Sequence, residues 1–220
     1  MYKVQDGDIQ YIKKLPENYS PNAQYPVLIF FHGAGSRGDD LENLITNPFF
    51  SYNKSDILNG IIYAPLCTED TWFDMMERIH RFIDRVINRD DTDKNRVYLM
   101  GASMGGYAVW QLAMSCPDKF AAIVPICGGG MYWNAGRLKN MSIWAFHGRE
   151  DNVVLCQESE KMVENVNRAG GNALLTIYNH IGHDCWNYVY DSEELFEWLS
   201  KCKNTIHSHE NKYGSSELFG

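Results

Sequence analysis

A short apolar run that ends in Gly-x-Ser-x-Gly constrains this chain more than any other feature of its sequence. Residues 97–100 have the composition of a buried strand, and Gly101, Ser103 and Gly105 follow at once. Residues 107–115 then show a helix-like pattern. A serine on a tight turn between strand and helix forms a nucleophile elbow, with glycines beside it because the backbones pass too closely for a Cβ atom. Such a turn exposes the serine Oγ above the sheet and aims the first helical N–H groups at the atom it attacks.

The rest of the chain alternates apolar runs with amphipathic stretches, which predicts βαβ units and a mostly parallel sheet with helices on both faces. The predicted buried strands span residues 27–31, 60–64, 97–100, 121–126, 143–146 and 173–178. The predicted helices span residues 72–88, 104–115, 157–169 and 193–203, and Gly170 and Gly171 end the third of them. Residues 4–15 are expected to add an antiparallel edge strand or hairpin.

The length of 220 residues suits one domain with a substantial core, which we predict to span residues 1–204. Residues 205–220 form a polar tail that we expect to be poorly ordered, and we interpret His207 and His209 as part of this tail rather than as metal ligands. The net charge of −8, without a basic stripe, argues against nucleic acid or an anionic membrane as a partner.

Two further patterns bear on the compartment and on metals. No apolar run reaches the roughly 18 residues of a membrane span, and no apolar segment follows Met1, so we predict a cytoplasmic protein without a signal peptide. The six cysteines form neither a Cys-x-x-Cys pair nor a zinc-like cluster, which predicts reduced, mostly buried thiols. Cys185 either borders the site or serves as a small buried hydrophobe. We expect no metal and no cofactor.

A serine nucleophile needs a base and an acid that orients the base, in the chain order Ser, acid, His for this kind of elbow. Asp151 follows the strand that ends near His147 and Gly148, and it is the candidate acid. Glu150 is its rival, and His147 comes too early in this order, so we interpret it as structural. The last strand is followed by Gly182 and the candidate base His183.

His180 competes with His183 for the role of base. A third region, His32-Gly33-Ala34-Gly35, is a glycine-rich loop directly after a strand, as expected for an oxyanion hole. We assign the two oxyanion donors to the backbone N–H groups of Ala34 and Met104, and we interpret the His32 side chain as a brace for the loop. Phosphate binding is disfavoured, because neither Gly-x-Gly-x-x-Gly nor Gly-Lys-Ser/Thr follows.

Four blocks of residues, starting at His32, Gly101, His147 and Gly182, together resemble the α/β-hydrolase carboxylesterases, in the group of polyhydroxybutyrate-depolymerase-like and feruloyl-esterase-like enzymes and predicted peptidases. The resemblance runs from about residue 9 to residue 199. It implies an α/β-hydrolase fold with Ser103 as nucleophile, Asp151 as acid, His183 as base, and Ala34 and Met104 as oxyanion donors. The loop reads His-Gly-Ala-Gly rather than His-Gly-Gly-Gly, which indicates a different branch from the hormone-sensitive-lipase-like esterases. The short chain leaves little room for a lid.

We expect Gly33 to let the backbone approach the substrate, and Trp72 and Trp186 to flank its acyl or alcohol group; ordinary packing is the alternative for both tryptophans. Trp133 is a candidate for the pocket rim. The predicted activity is hydrolysis of short-acyl or carbohydrate-linked acetyl or feruloyl esters, with a small-molecule substrate that includes plant-polysaccharide fragments. The alternatives are a serine peptidase acting on small peptides and a catalytically silent binding module. The oligomeric state stays open.

Overall fold

The computed structural model describes residues 1–204, so the predicted tail with His207 and His209 lies outside the described residues. Eight strands form one sheet in the order β1-β2-β4-β3-β5-β6-β7-β8. The strands are β1 (Tyr2–Asp6), β2 (Ile9–Lys14), β3 (Tyr25–Phe31), β4 (Ile61–Pro65), β5 (Thr92–Ala102), β6 (Ala122–Ile126), β7 (Ser142–Gly148) and β8 (Leu174–Tyr178).

The sheet is mostly parallel. Strands β1 and β2 form the antiparallel hairpin predicted for residues 4–15, and β2 pairs antiparallel with β4. All other neighbouring strands pair in parallel, with β3 and β5 at the centre. Their short, apolar, buried sequences suit strands that are covered on both faces.

Helices cover both faces of this sheet. They are α1 (Glu42–Ile45), α2 (Met76–Ile87), α3 (Met104–Ser115), α4 (Gln157–Arg168), α5 (Trp186–Tyr190) and α6 (Glu193–Lys201). Successive side chains of a strand point to opposite faces, and β3 shows this directly. Val27 and Ile29 pack into the core beneath α2, α3 and α4, whereas Leu28 and Phe30 pack into the core beneath α1, α5 and α6.

The topology brings several loops together at one edge of the sheet. Parallel strands all end at the same edge, so the loops that follow β3, β5, β6, β7 and β8 converge there. These loops begin near Phe31, Ala102, Ile126, Gly148 and Tyr178. Together with the first residues of α3 and α5, they carry the predicted catalytic, oxyanion and substrate-binding residues except Trp72.

Most boundaries differ from the prediction by one or two residues, and the starts of α2 and β5 differ by more. Helix α2 begins at Met76 rather than at residue 72, because Thr71 and Asp74 hydrogen-bond to nearby backbone and to each other in a turn that competes with the helix. Strand β5 begins at Thr92, ahead of the apolar run, because Thr92 pairs with Tyr25 of β3 before an irregularity, after which the pairing resumes at Val97.

None of the helices within residues 1–204 has both the length and the apolar composition needed to cross a membrane.

Candidate active site

The turn from β5 into α3 holds Ser103 in a strained backbone conformation. Its φ of 56° and ψ of −118° lie outside the regions that side chains normally prefer. Two hydrogen bonds hold the turn: the Ser103 amide donates to the carbonyl of Ile126 (2.9 Å), and the Ser103 carbonyl accepts from the amide of Tyr107 (3.1 Å). This is the strand–turn–helix geometry that a nucleophile elbow requires.

Two glycines beside Ser103 are required by close backbone contacts. A Cβ atom on Gly105 would lie 1.9 Å from the carbonyl oxygen of Phe31, and one on Gly101 would lie 2.5 Å from the carbonyl oxygen of Gly105. No side chain fits at either distance. The Gly-x-Ser-x-Gly pattern is therefore required because α3 passes so close to the ends of β3 and β5.

The imidazole of His183 lies between Ser103 and Asp151. Its Nε2 is 2.8 Å from Oγ of Ser103, and its Nδ1 is 2.7 Å from Oδ2 of Asp151. An ionised carboxylate can only accept, so Nδ1 carries the proton and Nε2 is free to accept the serine hydroxyl proton. The structure thus brings together the three residues that the sequence assigns as nucleophile, base and acid.

Asp151 is almost completely buried, and its carboxylate is saturated with donors. Oδ1 accepts from the amides of Val153 and Val154, both at 2.9 Å, while Oδ2 accepts from His183. Burial alone would raise the pKa of Asp151, but the hydrogen bonds from His183 and from the two amides outweigh it and lower the pKa. The group is therefore held ionised in a site with little water.

The two rivals named in the sequence analysis pair with each other instead. Nδ1 of His180 lies 3.1 Å from Oε1 of Glu150, and both side chains are exposed to solvent. Among the described residues neither side chain hydrogen-bonds to Ser103 or Asp151, so the geometry favours Asp151 and His183.

The glycine-rich loop after β3 turns back toward Ser103 as a 3₁₀ turn over Ala34–Ser36. Within residues 1–204, neither the amide of Ala34 nor that of Met104 donates a hydrogen bond. Gly33 packs close to the elbow, where an added Cβ would meet the Ala102 carbonyl oxygen at 3.3 Å. Backbone N–H groups left without partners beside a nucleophile are available for an oxyanion.

His32 braces this loop from within the protein. Its Nδ1 donates to the carbonyl of Gly33 (2.7 Å), and its Nε2 accepts from the amide of Cys67 (3.0 Å). The ring is fully buried. Burial lowers the pKa of His32 to about 4, so the ring stays neutral at physiological pH.

Trp72 does not reach the substrate side, contrary to our expectation. It is 1% exposed, its ring packs edge-on against Phe31, and its indole N–H donates to the carbonyl of His32 at 2.9 Å. The turn before α2 directs the indole inward beneath the glycine-rich loop. Trp72 thus supports the loop as a core residue.

A cavity of about 570 Å³ opens at Ser103. Gly33, Ala34, Ser103, His183 and Trp186 line it, as predicted, and the Trp186 ring stands edge-on to His183 with centroids 5.2 Å apart. Gly35 of the glycine-rich loop also lines the cavity, together with eight residues for which the sequence predicted no contact with substrate: Ser36, Asn43, Thr46, Asn47, Pro48, Ala102, Val153 and Tyr190. Ser36 and Ala102 border the glycine-rich loop and the elbow, whereas no motif marks the others, which come from the irregular segment around α1, from the loop after β7 and from helix α5.

Two other residues lie away from the cavity surface. Trp133 is 71% exposed but is not among the residues that line the cavity. Cys185 is fully buried in the core beside α5 and α6, which favours its interpretation as a small buried hydrophobe.

Potential metal ligands within the described residues coincide with the site itself. Cys127, Asp151 and His183 place one donor atom each within 4.8 Å of one another. Burial raises the pKa of the Cys127 thiol, which disfavours the thiolate that a metal needs. The imidazole and the carboxylate already hydrogen-bond to each other.

Comparison with known proteins agrees with this architecture. The family model described as phospholipase/carboxylesterase matches residues 64–201. Feruloyl esterase D from Neurospora crassa is 26% identical over 156 residues, which cover 66% of this chain and 54% of that protein. A bifunctional acetylxylan esterase/xylanase from Neocallimastix patriciarum is 29% identical over 155 residues, which cover 68% of this chain and 22% of that protein.

Among solved structures, a thermostable esterase superposes with a TM-score of 0.81 at 28% identity, over 92% of this chain and 62% of that one. A ferulic acid esterase shares the fold at 14% identity, with a TM-score of 0.72 over 91% of this chain and 96% of that one. The chain spans about half the length of the feruloyl esterases that it matches. With its mostly parallel sheet, its elbow and the family match, this chain has the α/β-hydrolase fold and belongs to the phospholipase/carboxylesterase family.

Proposed function

We propose that this chain is a serine carboxylesterase in which Ser103 is the nucleophile, His183 the general base and acid, and Asp151 the group that orients His183. The observation that carries the proposal is the unbroken line of contacts from Ser103 Oγ through the His183 ring to Asp151 Oδ2, at 2.8 Å and 2.7 Å. At its Ser103 end, this line of contacts opens into a cavity of about 570 Å³, which is within the size range of small-molecule sites.

In the acylation step, Oγ of Ser103 attacks the ester carbonyl while its proton passes to Nε2 of His183. The carbonyl oxygen becomes an oxyanion and accepts hydrogen bonds from the amides of Ala34 and Met104. The bond to the alcohol then breaks, and the leaving oxygen takes the proton from His183. Asp151 stabilises the imidazolium that exists between these two transfers.

Water reverses the sequence in the second half of the cycle. His183 takes a proton from the water as its oxygen attacks the acyl-enzyme, the same two amides hold the oxyanion, and Ser103 leaves with the proton returned by His183. The carboxylic acid is released, and each group ends in its starting protonation state.

We infer that the substrates are short-acyl esters or acetyl and feruloyl esters of carbohydrates. The cavity combines apolar lining from Pro48, Val153, Trp186 and Tyr190 with polar lining from an adjacent segment, which carries Asn43, Thr46 and Asn47. An aromatic acyl group suits the first set, and sugar hydroxyls suit the second. The names of the relatives, feruloyl esterase and acetylxylan esterase, support the same substrate classes.

A substrate panel tests this proposal. We expect turnover of p-nitrophenyl acetate, methyl ferulate and acetylated xylo-oligosaccharide, and weak turnover of p-nitrophenyl octanoate. Cleavage of an aminoacyl anilide with no ester turnover would indicate a peptidase instead. Turnover of no substrate, together with no labelling of Ser103 by a fluorophosphonate, would indicate a binding module.

The role of Trp186 is tested by a matched pair of tryptophan variants. Trp186→Ala is expected to raise KM for methyl ferulate more than for p-nitrophenyl acetate, because it removes an aromatic surface beside His183. Trp133→Ala removes an exposed tryptophan that is not part of the cavity lining and serves as the control. Equal effects of the two variants on methyl ferulate would contradict the assignment.

A further inference from the structure

A second buried histidine approaches the carboxylate oxygen that His183 uses. His147, near the end of β7, is fully buried, and its Nε2 lies 3.2 Å from Oδ2 of Asp151. The same Nε2 lies 2.9 Å from the carbonyl oxygen of Val154. Because His147 precedes Asp151 in the chain, the order Ser, acid, His predicts only a structural role for it.

The partners of His147 determine where its proton lies. Nε2 faces two oxygens that can only accept, so it must carry a hydrogen. Burial lowers the pKa of His147, which keeps the ring neutral near pH 7. Nδ1 therefore carries no hydrogen, and it lies 2.8 Å from Oγ of Ser159, whose single hydrogen also faces the carbonyl oxygen of Gly128.

The two histidines thus hold opposite tautomers around one carboxylate. His183 points Nδ1–H at Oδ2 and accepts from a serine at Nε2, whereas His147 directs Nε2–H at the Val154 carbonyl, with Nε2 3.2 Å from Oδ2, and contacts a serine hydroxyl at Nδ1. The second serine, Ser159 on α4, is fully buried, and its Oγ also lies 2.8 Å from the carbonyl oxygen of Gly128. Ser159 is not accessible to a substrate, so the pair of His147 and Ser159 supports the site and does not react.

We propose that His147 is a positioning residue for the ester hydrolysis proposed above, on which this inference rests. Through Nε2–H it holds the Val154 carbonyl and approaches the Asp151 carboxylate, two parts of the loop whose amides bind Oδ1. Through Nδ1 it ties that loop to α4 at Ser159. Asp151 is thereby kept aimed at His183 while the charge on His183 changes during turnover.

His147 also weakens the negative electrostatic potential that the Asp151 carboxylate produces at His183. Its N–H dipole puts partial positive charge beside Oδ2. Replacing this N–H by an apolar group leaves a stronger negative potential at His183, which favours the imidazolium. The acidic midpoint of the kcat/KM profile is then expected to move to higher pH.

The other groups around Asp151 do not titrate in the acidic range. The titratable neighbours from packed elements, besides the two histidines, are Tyr107, Cys127 and Cys156. Burial raises the pKa of all three, so they stay neutral. The charged residues of the same loop are paired elsewhere, Arg149 with Glu160 and Glu150 with His180.

Three variants and the wild type test the role of His147 with p-nitrophenyl acetate. His147→Leu removes both ring nitrogens, and His147→Gln keeps an N–H donor close to the position of Nε2. Val166→Ala, in the buried core face of α4, lowers stability without a polar change near Asp151. Thermal melting confirms that each variant is folded.

We expect His147→Leu to lower kcat by about 10- to 100-fold with little change in KM, because small misplacements of a supporting group cost about this much. Its acidic midpoint should rise. His147→Gln should recover most of kcat and the midpoint, and Val166→Ala should keep both. Wild-type kinetics in His147→Leu, or equal losses in all three variants with an unchanged midpoint, would overturn the proposal.

Nitrogen NMR of the wild-type histidines separates this inference from the proposed function. We expect His147 as the Nε2–H tautomer and His183 as the Nδ1–H tautomer at pH 7. The opposite tautomer for His147 would overturn the positioning role even in an active enzyme. Absence of ester turnover with these tautomers present would instead overturn the proposed function.

Discussion

Nε2 of His183 lies 2.8 Å from Oγ of Ser103, although 80 residues separate them in the chain. Each residue sits just beyond a parallel strand of one sheet, Ser103 after β5 and His183 after β8. The fold, not the local sequence, creates the contact. On our account, every step of ester hydrolysis passes through this pair.

The orientation of the His183 ring depends on the charge of Asp151. In Asp151→Asn, the amides of Val153 and Val154 will keep the side-chain oxygen and turn the new NH₂ group toward His183. A donor there forces the wrong tautomer on the ring, so we expect kcat to fall by about 10⁴-fold with the fold intact. Steady-state kinetics at neutral pH measure this. Glu150→Gln, which changes an exposed carboxylate paired with His180, should retain activity; equal losses in the two variants would contradict the assignment of Asp151.

The oxyanion role of Ala34 is testable by removing one backbone N–H. Gly33 has φ −76° and ψ 176°, a conformation that a residue before proline adopts, and Ala34 begins a 3₁₀ turn, where proline is tolerated. We expect Ala34→Pro to lower kcat by about 10²- to 10³-fold. Ala34→Ser keeps the amide and should stay near wild type. Full activity in a folded Ala34→Pro variant would mean that the Ala34 amide does not bind the oxyanion.

A Cβ atom is expected to destabilise the fold at Gly105, in the elbow, but not at Gly35, in the glycine-rich loop. Gly105→Ala drives a Cβ into the Phe31 carbonyl, whereas a Cβ on Gly35 meets nothing within 4 Å. We expect Gly105→Ala to destabilise the fold by about 3 kcal/mol, which lowers Tm by about 10 °C. Gly35→Ala should melt like the wild type. Equal Tm values for the two variants would contradict the close contact of α3 with the end of β3.

Buried neutral histidines make the fold sensitive to acid. The pKa of His32 is 6.5 in the unfolded chain and about 4 in the folded protein. Between these two pH values, His32 is protonated in the unfolded chain but neutral in the folded protein. Stability is therefore full above pH 6.5 and falls by about 3 kcal/mol as the pH drops to about 4.

Urea unfolding across this pH range measures the loss of stability. His32→Gln keeps an acceptor for the Cys67 amide but does not titrate, so its stability should depend less steeply on pH. His147 contributes in the same direction, so some dependence should remain. A slope identical to that of the wild type would show that His32 is not the group responsible.

Much of the fold was predictable because the sheet is built from short apolar runs bounded by glycines and helix caps. Helix α3 has the predicted bounds, and the strands and the four longer helices follow in the predicted order, whereas the short helices α1 and α5 were not predicted. The site was predictable where backbone geometry dictates the residue, as at Ser103 between its glycines. It was also predictable where the chain order of the fold assigns a role, as for Asp151 and His183.

The rest depends on tertiary packing that no local pattern records. Trp72 follows β4 at the correct edge of the sheet, yet the turn formed by Thr71 and Asp74 sends its indole into the core. Tyr190 and Val153 enter the cavity from a short helix and a loop without motifs. The contact of His147 with Asp151 joins two residues four apart that lie on either side of a strand end, so only the folded loop reveals it.

The most direct test of the central claim is hydrolysis of p-nitrophenyl acetate by the wild type and by Ser103→Ala, with Tm measured for both. We predict clear turnover by the wild type, loss of turnover to the level of the uncatalysed reaction in the variant, and a Tm within a few degrees. Wild-type turnover by Ser103→Ala would contradict the account, because the nucleophile would then have to be another residue.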